Sequence, residues 1–363
     1  MVISMLNYSC RDQSELIGHA EAEKELIHSW NNGNIPNAWI FSGPKGIGKA
    51  TLGYRLARFI LAKENEYISN QEGLWVDPNS STFKRISAGT HSDLFTLELT
   101  ENEQGILRNE IVINDVRRLN RFLSLTSGES SWKIVIIDGA DFLNSSAENA
   151  LLKHIEETPY KSVFILVTHS LDKLLPTTRS RCRFINFKRL NESNVEKVFN
   201  LNPSCMELSE YNFSALVQIS DGSPGYGLNL LNQGGIEFFQ TVVELILSLP
   251  DLDWGGINKL VDRVGRKDGA EIFAAISDII LWTLSSAICR AVSGNKNNSS
   301  KYELLPNESP LIKSIHAYRH SLDQWAEVWE KVRIILTSSE SLNMERKQTL
   351  FNAFTLLSRM ARI

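Results

Sequence analysis

The run Gly43-Pro44-Lys45-Gly46-Ile47-Gly48-Lys49 has the residue types and the spacing that hold phosphate. Glycines at 43, 46 and 48 free backbone N–H groups to turn inward on an anion, and Lys49 adds a positive charge. Before the run, Ala38 to Phe41 reads as a short buried strand. After it, Leu52, Leu56, Phe59 and Ile60 recur at helical spacing. Strand, glycine-rich loop and helix in that order make a P-loop, and the context makes the match specific. One group is missing. The residue after Lys49 is Ala50, where a bound Mg²⁺ needs a hydroxyl, and Thr51 comes one position late. That position lies about 100° further round the helix. The site expected from these residues is a phosphate cradle without its metal ligand.

The elements that position this loop are those of a parallel sheet. Ile134 to Ile137 is a buried strand that delivers Asp138 at its end, and Val163 to Val167 is another, ending at Thr168-His169. Phe95 to Leu99 alternates as a strand, and Phe184 to Phe187 reads as one more. Helical patterns separate them over Ala20 to Trp30, over Asp115 to Leu125, and from about Asn144 to Pro159. The last of these is expected to open on Ser145 and Glu148 as a capping box. Buried strands alternating with helices predict a parallel sheet covered on both faces.

In the 115–125 helix, Val116, Leu119, Phe122 and Leu123 share a face, while Arg117, Arg118 and Arg121 lie away from it. The arginines make either a solvated face or a phosphate-facing patch. Residues 64–91 are polar with scattered aromatics and read as a long insertion or an irregular connection. Beyond Lys188 helical patterns take over, broken at Asp221-Gly222-Ser223-Pro224-Gly225, with Trp282, Trp325 and Trp329 as core or interface anchors. The predicted class is α/β followed by all-α. Domain boundaries are expected at 1–188 for the P-loop α/β domain, 189–236 for a small helical domain and 237–363 for a C-terminal helical domain.

A chain of 363 residues suits two or three domains with a sizeable core. Its net charge of −4 gives no global signal for nucleic acid or membrane, so any basic surface is local. The four cysteines, Cys10, Cys182, Cys205 and Cys289, form no C-x-x-C pair and fit reduced thiols in a cytoplasmic protein. No basic segment followed by an apolar run marks a secretion signal at the N-terminus. The apolar stretch from Ala270 to Ile288 carries Glu271 and Asp278 and reads as a core helix rather than a membrane span.

Further runs carry a resemblance. Lys133 to Asn144 (KIVIIDGADFLN), Glu148 to Pro159 (ENALLKHIEETP) and Ser180-Arg181-Cys182 resemble the clamp-loader branch of the AAA+ superfamily. Gly89 to Leu94 (GTHSDL), Asp115 to Leu119 (DVRRL) and Gly222 to Gly225 (GSPG) narrow it to the delta-prime type of bacterial DNA polymerase III subunit. The match runs from about Leu16 to Leu231 and, weakly, over the last helix. It implies a AAA+ domain, a helical lid and a C-terminal collar within DNA polymerase III, a nucleotidyltransferase complex. The implied partners are clamp-loader ATPase subunits and a clamp-opening subunit in a hetero-oligomer, with the sliding clamp and primed DNA engaged through it.

The resemblance also defines departures. Beside Ala50 in place of the Mg²⁺ ligand, Gly139 stands where a catalytic glutamate orients water, His169 where a Thr or Asn sensor is found, and Gly225 where the lid supplies an arginine. Phosphoryl transfer depends on positioning and charge stabilisation, so these losses together imply a chain that does not hydrolyse ATP by itself. The alternative is an active AAA+ ATPase that uses Lys49 and Asp138 with substitutes elsewhere. Gly43, Gly46, Gly48, Lys49 and Asp138 leave room for weak nucleotide binding, or for a loop kept only for its shape; no cofactor is required. Arg181, flanked by Ser180 and Cys182, sits where the family presents an arginine finger to a neighbour. The family's zinc module is not carried over, because Lys63 to Ser92 contains no cysteine and no metal is expected.

Overall fold

Ala38–Ser42 (β1) is buried at all five positions, as a strand inside a sheet with both faces covered must be. It belongs to a five-stranded sheet with β2 (Leu94–Leu97), β3 (Lys133–Asp138), β4 (Ser162–Thr168) and β5 (Arg183–Asn186). The order is β2-β3-β4-β1-β5, and all neighbours pair in parallel. Strands that run one way place their C-terminal ends on one edge. Ser42 stands level with Thr168 and with Asn186, and Asp138 with Val167. The residues that follow β1, β3 and β4 therefore gather at that edge, where open parallel sheets bind ligands. At the other edge Trp39 is level with Arg183.

The computed structural model describes residues 9–63, 66, 73–100, 108–126, 128, 130–265, 269–293, 322–341 and 345–360. The chain divides into two compact units, 1–197 and 198–363. In the first, the sheet carries α1 (Ala20–Asn31), α2 (Lys49–Leu61), α3 (Ser81–Ser87), α4 (Ile113–Ser124), α5 (Ser145–Glu156) and the short α6 (Pro176–Arg179). Val116 and Leu119 of α4 and Leu151 and Ile155 of α5 pack with Ile40, Val135, Ile137, Phe164 and Leu166 of the strands. Burying each such side chain contributes roughly 1.5–3 kcal/mol. On the other side α2 comes in close. A Cβ added at Gly53 would lie 3.4 Å from Ile165 Cγ2.

Two arginines of α2 are buried and donate to backbone carbonyls, Arg58 to Arg11 and Gln13 and Arg55 to Ser14. They draw residues 11–14 onto that helix. Arg58 also lies 4.3 Å from the Phe83 ring centroid, which ties α3 to the same place.

Two local expectations are corrected. The segment expected to be irregular over 64–91 contains α3, capped by Ser80 Oγ accepting from Phe83 N at 3.1 Å; residues 64–65 and 67–72 lie outside the described residues. Helix α5 does begin after Asn144, but no capping box forms from Ser145 and Glu148. Asn144 is itself the cap, its Oδ1 accepting from Ala147 N at 2.9 Å. Ser145 is thus already inside the helix. Glu148, one position past the capping-box site, is buried and accepts from Leu175 N at 2.7 Å instead.

The second unit contains α8 (Pro203–Met206), α9 (Glu210–Ile219), α10 (Pro224–Asn232), α11 (Gly235–Leu247), α12 (Trp254–Val264), α13 (Gly269–Ser293), α14 (Leu322–Ser341) and α15 (Arg346–Met360). Helix α7 (Glu192–Asn200) crosses the boundary between the units. No strand occurs among the described residues here. The part of α13 from Gly269 to Ala291 is long and apolar enough to cross a membrane by length and composition. It packs against α11, α12 and α14 and buries Ile272, Phe273, Ile276, Ile279, Ile280 and Leu284 among them. Trp325 is buried, Trp329 Nε1 donates to Leu281 O at 3.2 Å, and Trp282 lies 5.7 Å from Phe239. All three tryptophans are anchors of this packing.

One polar contact in the first unit is testable. Lys133, buried at the start of β3, donates from Nζ to Phe122 O at 2.7 Å, to Leu123 O at 3.2 Å and to Leu125 O. These are end carbonyls of α4 that no helical N–H satisfies. Lys133→Met should lower unfolding free energy by roughly 1–3 kcal/mol, the cost of stranding buried acceptors. Urea unfolding checks this, and a loss below about 0.5 kcal/mol, the size of an ordinary surface change, would show that water replaces the ammonium.

Candidate nucleotide site and arginine turn

At the end of β1 the chain turns at Gly43, with φ +148°. A Cβ there would stand 2.5 Å from Phe187 O, so only glycine lets the loop pass over the end of β5. Gly46 and Gly48 also have positive φ, and Gly48 is the N-cap of α2. The loop thus lies against a helix N-terminus, whose free N–H groups carry partial positive charge. Lys49 opens α2 and is 3% exposed. Its Nζ reaches back to Gly43 O at 2.7 Å and Pro44 O at 2.5 Å. From outside the loop, His19 Nε2 donates to Ile47 O at 2.8 Å, and its ring meets Phe187 edge-on at 4.8 Å.

Asp138 stands at the end of β3, two strands from the loop. Burial raises its pKa against the pull of His169, Lys49 and Arg11. Burial lowers that of Lys49 to about 8, although Asp138 and Asp141 favour its charged form. Burial also works on Asp141, but hydrogen bonds from His169 outweigh it and hold the carboxyl down at about 2. Asp141 Oδ1 accepts from His169 N at 3.1 Å and lies 3.3 Å from His169 Nδ1. Gly43, Gly46, Gly48, Lys49, Asp138 and His169 are therefore brought to one sheet edge. Asp141 was not foreseen from the sequence. Its only signal was a place three residues after Asp138, and its role depends on a partner from another strand.

The glycine at 139 is set in the backbone. Its φ is +86°, and an added Cβ would come 2.7 Å from Phe142 Cδ2. A glutamate there meets both left-handed strain and a ring. Gly225 lies in the second unit, in the first turn of α10.

Arg181 is not with this group. It precedes the first residue of β5 by two positions, on the edge where Trp39 and Arg183 are level, opposite to the loop. Ser180 Oγ closes the turn by donating to Thr177 O at 3.0 Å. Cys182 points into the core, and burial together with nearby Glu148 pushes its thiol up to about 12. Arg181 projects from between them with 39% of its side chain exposed. Its Nη1 donates to Thr177 O at 2.9 Å and its Nη2 pairs with Glu156 Oε1 at 2.7 Å. Glu148 and Glu156, both of α5, are contacts that no sequence pattern marked, because each joins elements far apart in the chain. The neighbouring arginines are engaged differently. Arg183 pairs with Glu25 at 2.9 Å beside the Trp39 ring, and Arg179 lies 3.8 Å from Asp172. Among the described residues no group of three or more His, Cys, Asp or Glu is placed to hold a metal, and the four cysteines are free thiols.

A family model described as "DNA polymerase III, delta subunit" matches residues 18–191, the span from the residue before His19 to the residue before α7. The delta-prime subunit of DNA polymerase III from Escherichia coli K12 is 28% identical over 232 residues, covering 64% of this chain and 65% of that protein. Over residues 18–191 the chain is thus similar to this DNA polymerase III subunit family. The delta-prime subunit of Pseudomonas aeruginosa is 33% identical over 146 residues, 40% of this chain and 41% of that protein. The gamma/tau subunit of Mycobacterium bovis is 25% identical over 274 residues, 74% of this chain and 45% of that protein. The chain thus spans less than half of the mycobacterial relative's length.

For a chain with this site, two outcomes are expected. Gly139→Glu should yield no ATP turnover and should lower stability by about 1–2 kcal/mol, the cost of a non-glycine residue in left-handed backbone. Phosphate-release assays and thermal melts read the two effects, and turnover at unchanged stability would contradict both. The second outcome concerns pH. A phosphate ligand is held by charged Lys49, so ADP affinity should fall as pH rises through about 8, by at most about tenfold per unit. Calorimetric titration from pH 7 to 9.5 checks this, and a flat profile would mean that the ammonium stays on the loop carbonyls.

Proposed function

We propose that this chain is a non-hydrolysing subunit of a DNA polymerase III clamp loader that supplies Arg181 to a neighbouring subunit's ATP. The observation that carries the reading is the position of Arg181, exposed at the sheet edge opposite its own phosphate loop. Helix α5 has 12 residues and runs between the two edges, about 18 Å in length. Arg181 is out of reach of its own cradle and open to another chain. A guanidinium fork suits the phosphate oxygens on which charge spreads during transfer. Support for the inert half comes from Ala50, Gly139, His169 and Gly225, none of which supplies the metal, water or phosphate contact needed.

In this reading the chain works in a hetero-oligomer with ATPase subunits and a clamp-opening subunit, which loads the sliding clamp onto primed DNA. Helices beyond residue 237 serve as its assembly collar. A second reading is an active ATPase, favoured by the convergence of Lys49 and Asp138 on one edge. Steady turnover by the purified chain that Lys49→Ala abolishes would select it.

The deciding experiment replaces Arg181 by Ala in the reconstituted complex. Assembly should persist while DNA-stimulated ATPase and clamp loading fall. Arginine fingers contribute on the order of 10³–10⁵ at the site they serve. The loss for the whole complex is smaller where other sites keep theirs, and roughly tenfold or less is expected. Arg179→Ala and Arg183→Ala should cost much less, and equal losses at all three would indicate a general basic patch.

A further inference from the structure

Arg181 is held by two elements at once. Nη1 donates to Thr177 O in its own turn, and Nη2 pairs with Glu156 at the end of α5. Eight residues earlier on the same helix, buried Glu148 accepts from Leu175 N, the residue that leads into α6 and the arginine turn. Helix α5 therefore grips the 170–182 connection at its base and at its tip.

Glu156 is also out of place by local rules. It is the last residue of α5, where the helix dipole disfavours a carboxylate, and a basic side chain would cap the carbonyls better. A local rule broken without local gain points to a demand made from elsewhere in the structure. The contact that Glu156 makes is the guanidinium of Arg181.

We infer that Glu156 is a positioning residue for Arg181, fixing the direction of the guanidinium before a neighbour's phosphate arrives. The inference rests on the reading of Arg181 as a finger. A free arginine side chain samples many rotamers, and ordering it at the moment of reaction costs rate; an arginine already aimed loses less. Glu148 sets the turn from which the side chain starts, and Glu156 sets where it ends. The ion pair is partly exposed, with 39% and 48% of the two side chains open, so it steers modestly.

The test is a double-mutant cycle in the reconstituted complex, reading kcat and KM for ATP in DNA-stimulated hydrolysis. Glu156→Ala should lower kcat roughly two- to fourfold, less than Arg181→Ala does, a loss of pre-orientation, and leave KM unchanged. Glu156→Gln keeps an acceptor oxygen and should recover part of the loss. Glu157→Ala, one residue on, should match wild type, and melting of the Glu156 variants should not move. With Arg181→Ala in place, adding Glu156→Ala should change nothing further. Wild-type kcat for Glu156→Ala, beside a clear loss for Arg181→Ala, overturns the inference and leaves the finger standing. So does an equal loss in both backgrounds, which would mark Glu156 as support for α5 alone, or a gain in kcat, which would make it a restraint. No loss with Arg181→Ala removes the finger itself and this inference with it.

Discussion

The placement of the candidate residues in the first unit follows from the parallel pairing of β3, β4, β1 and β5. Parallel strands send all their outgoing ends to one edge, so the glycine loop, Asp138 and His169 arrive there without any further device. The same constraint works in reverse on the next connection. To start β5 parallel to β1, the chain leaving β4 must travel back to the opposite edge. The arginine turn lies at the end of that return. Cradle and arginine are thus separated by a topological requirement, and the intervening helix fixes the distance between them.

At the outgoing edge the balance is set by burial. Lys49 is withdrawn from water, and its partners are the carbonyls of its own loop. The nearest carboxylates are divided. Asp141 is committed to His169, which keeps it ionised, while Asp138 is pushed toward its neutral form by burial. An edge where burial disfavours the charged forms of both Lys49 and Asp138 is a weaker place for Mg²⁺ and triphosphate than the glycine pattern alone suggests.

The sequence disclosed what is local and periodic. Ala38 to Phe41, Ile134 to Ile137 and Val163 to Val167 are continuous apolar runs, and a strand buried on both faces allows little else. The glycine loop was legible because its chemistry depends on adjacent residues. Capping at α5 was misread because Asn144, Ser145 and Glu148 offer two competing registers, and only the pull of Leu175 N on Glu148 decides between them. Helix α3 escaped notice because it is short, with just Thr82, Phe83 and Ile86 buried. The contacts of Arg181 with Glu156 and of His169 with Asp141 join residues 25 and 28 positions apart, and no periodicity reaches that far.

The left-handed backbone at Gly139, with Phe142 against it, bears on how such a chain changes over generations. A missing side chain is restored by one codon, but a backbone that has turned is not. Sequences one substitution away from this one keep the turn or gain a carboxylate at a cost in stability. On the non-hydrolysing reading, hydrolysis would need Phe142, the 139 turn and residue 50 to move together, with no benefit until the last change. In that same proposed reading the feature acts as a ratchet, and inactivity at this edge is more durable than the substitution of one residue would make it.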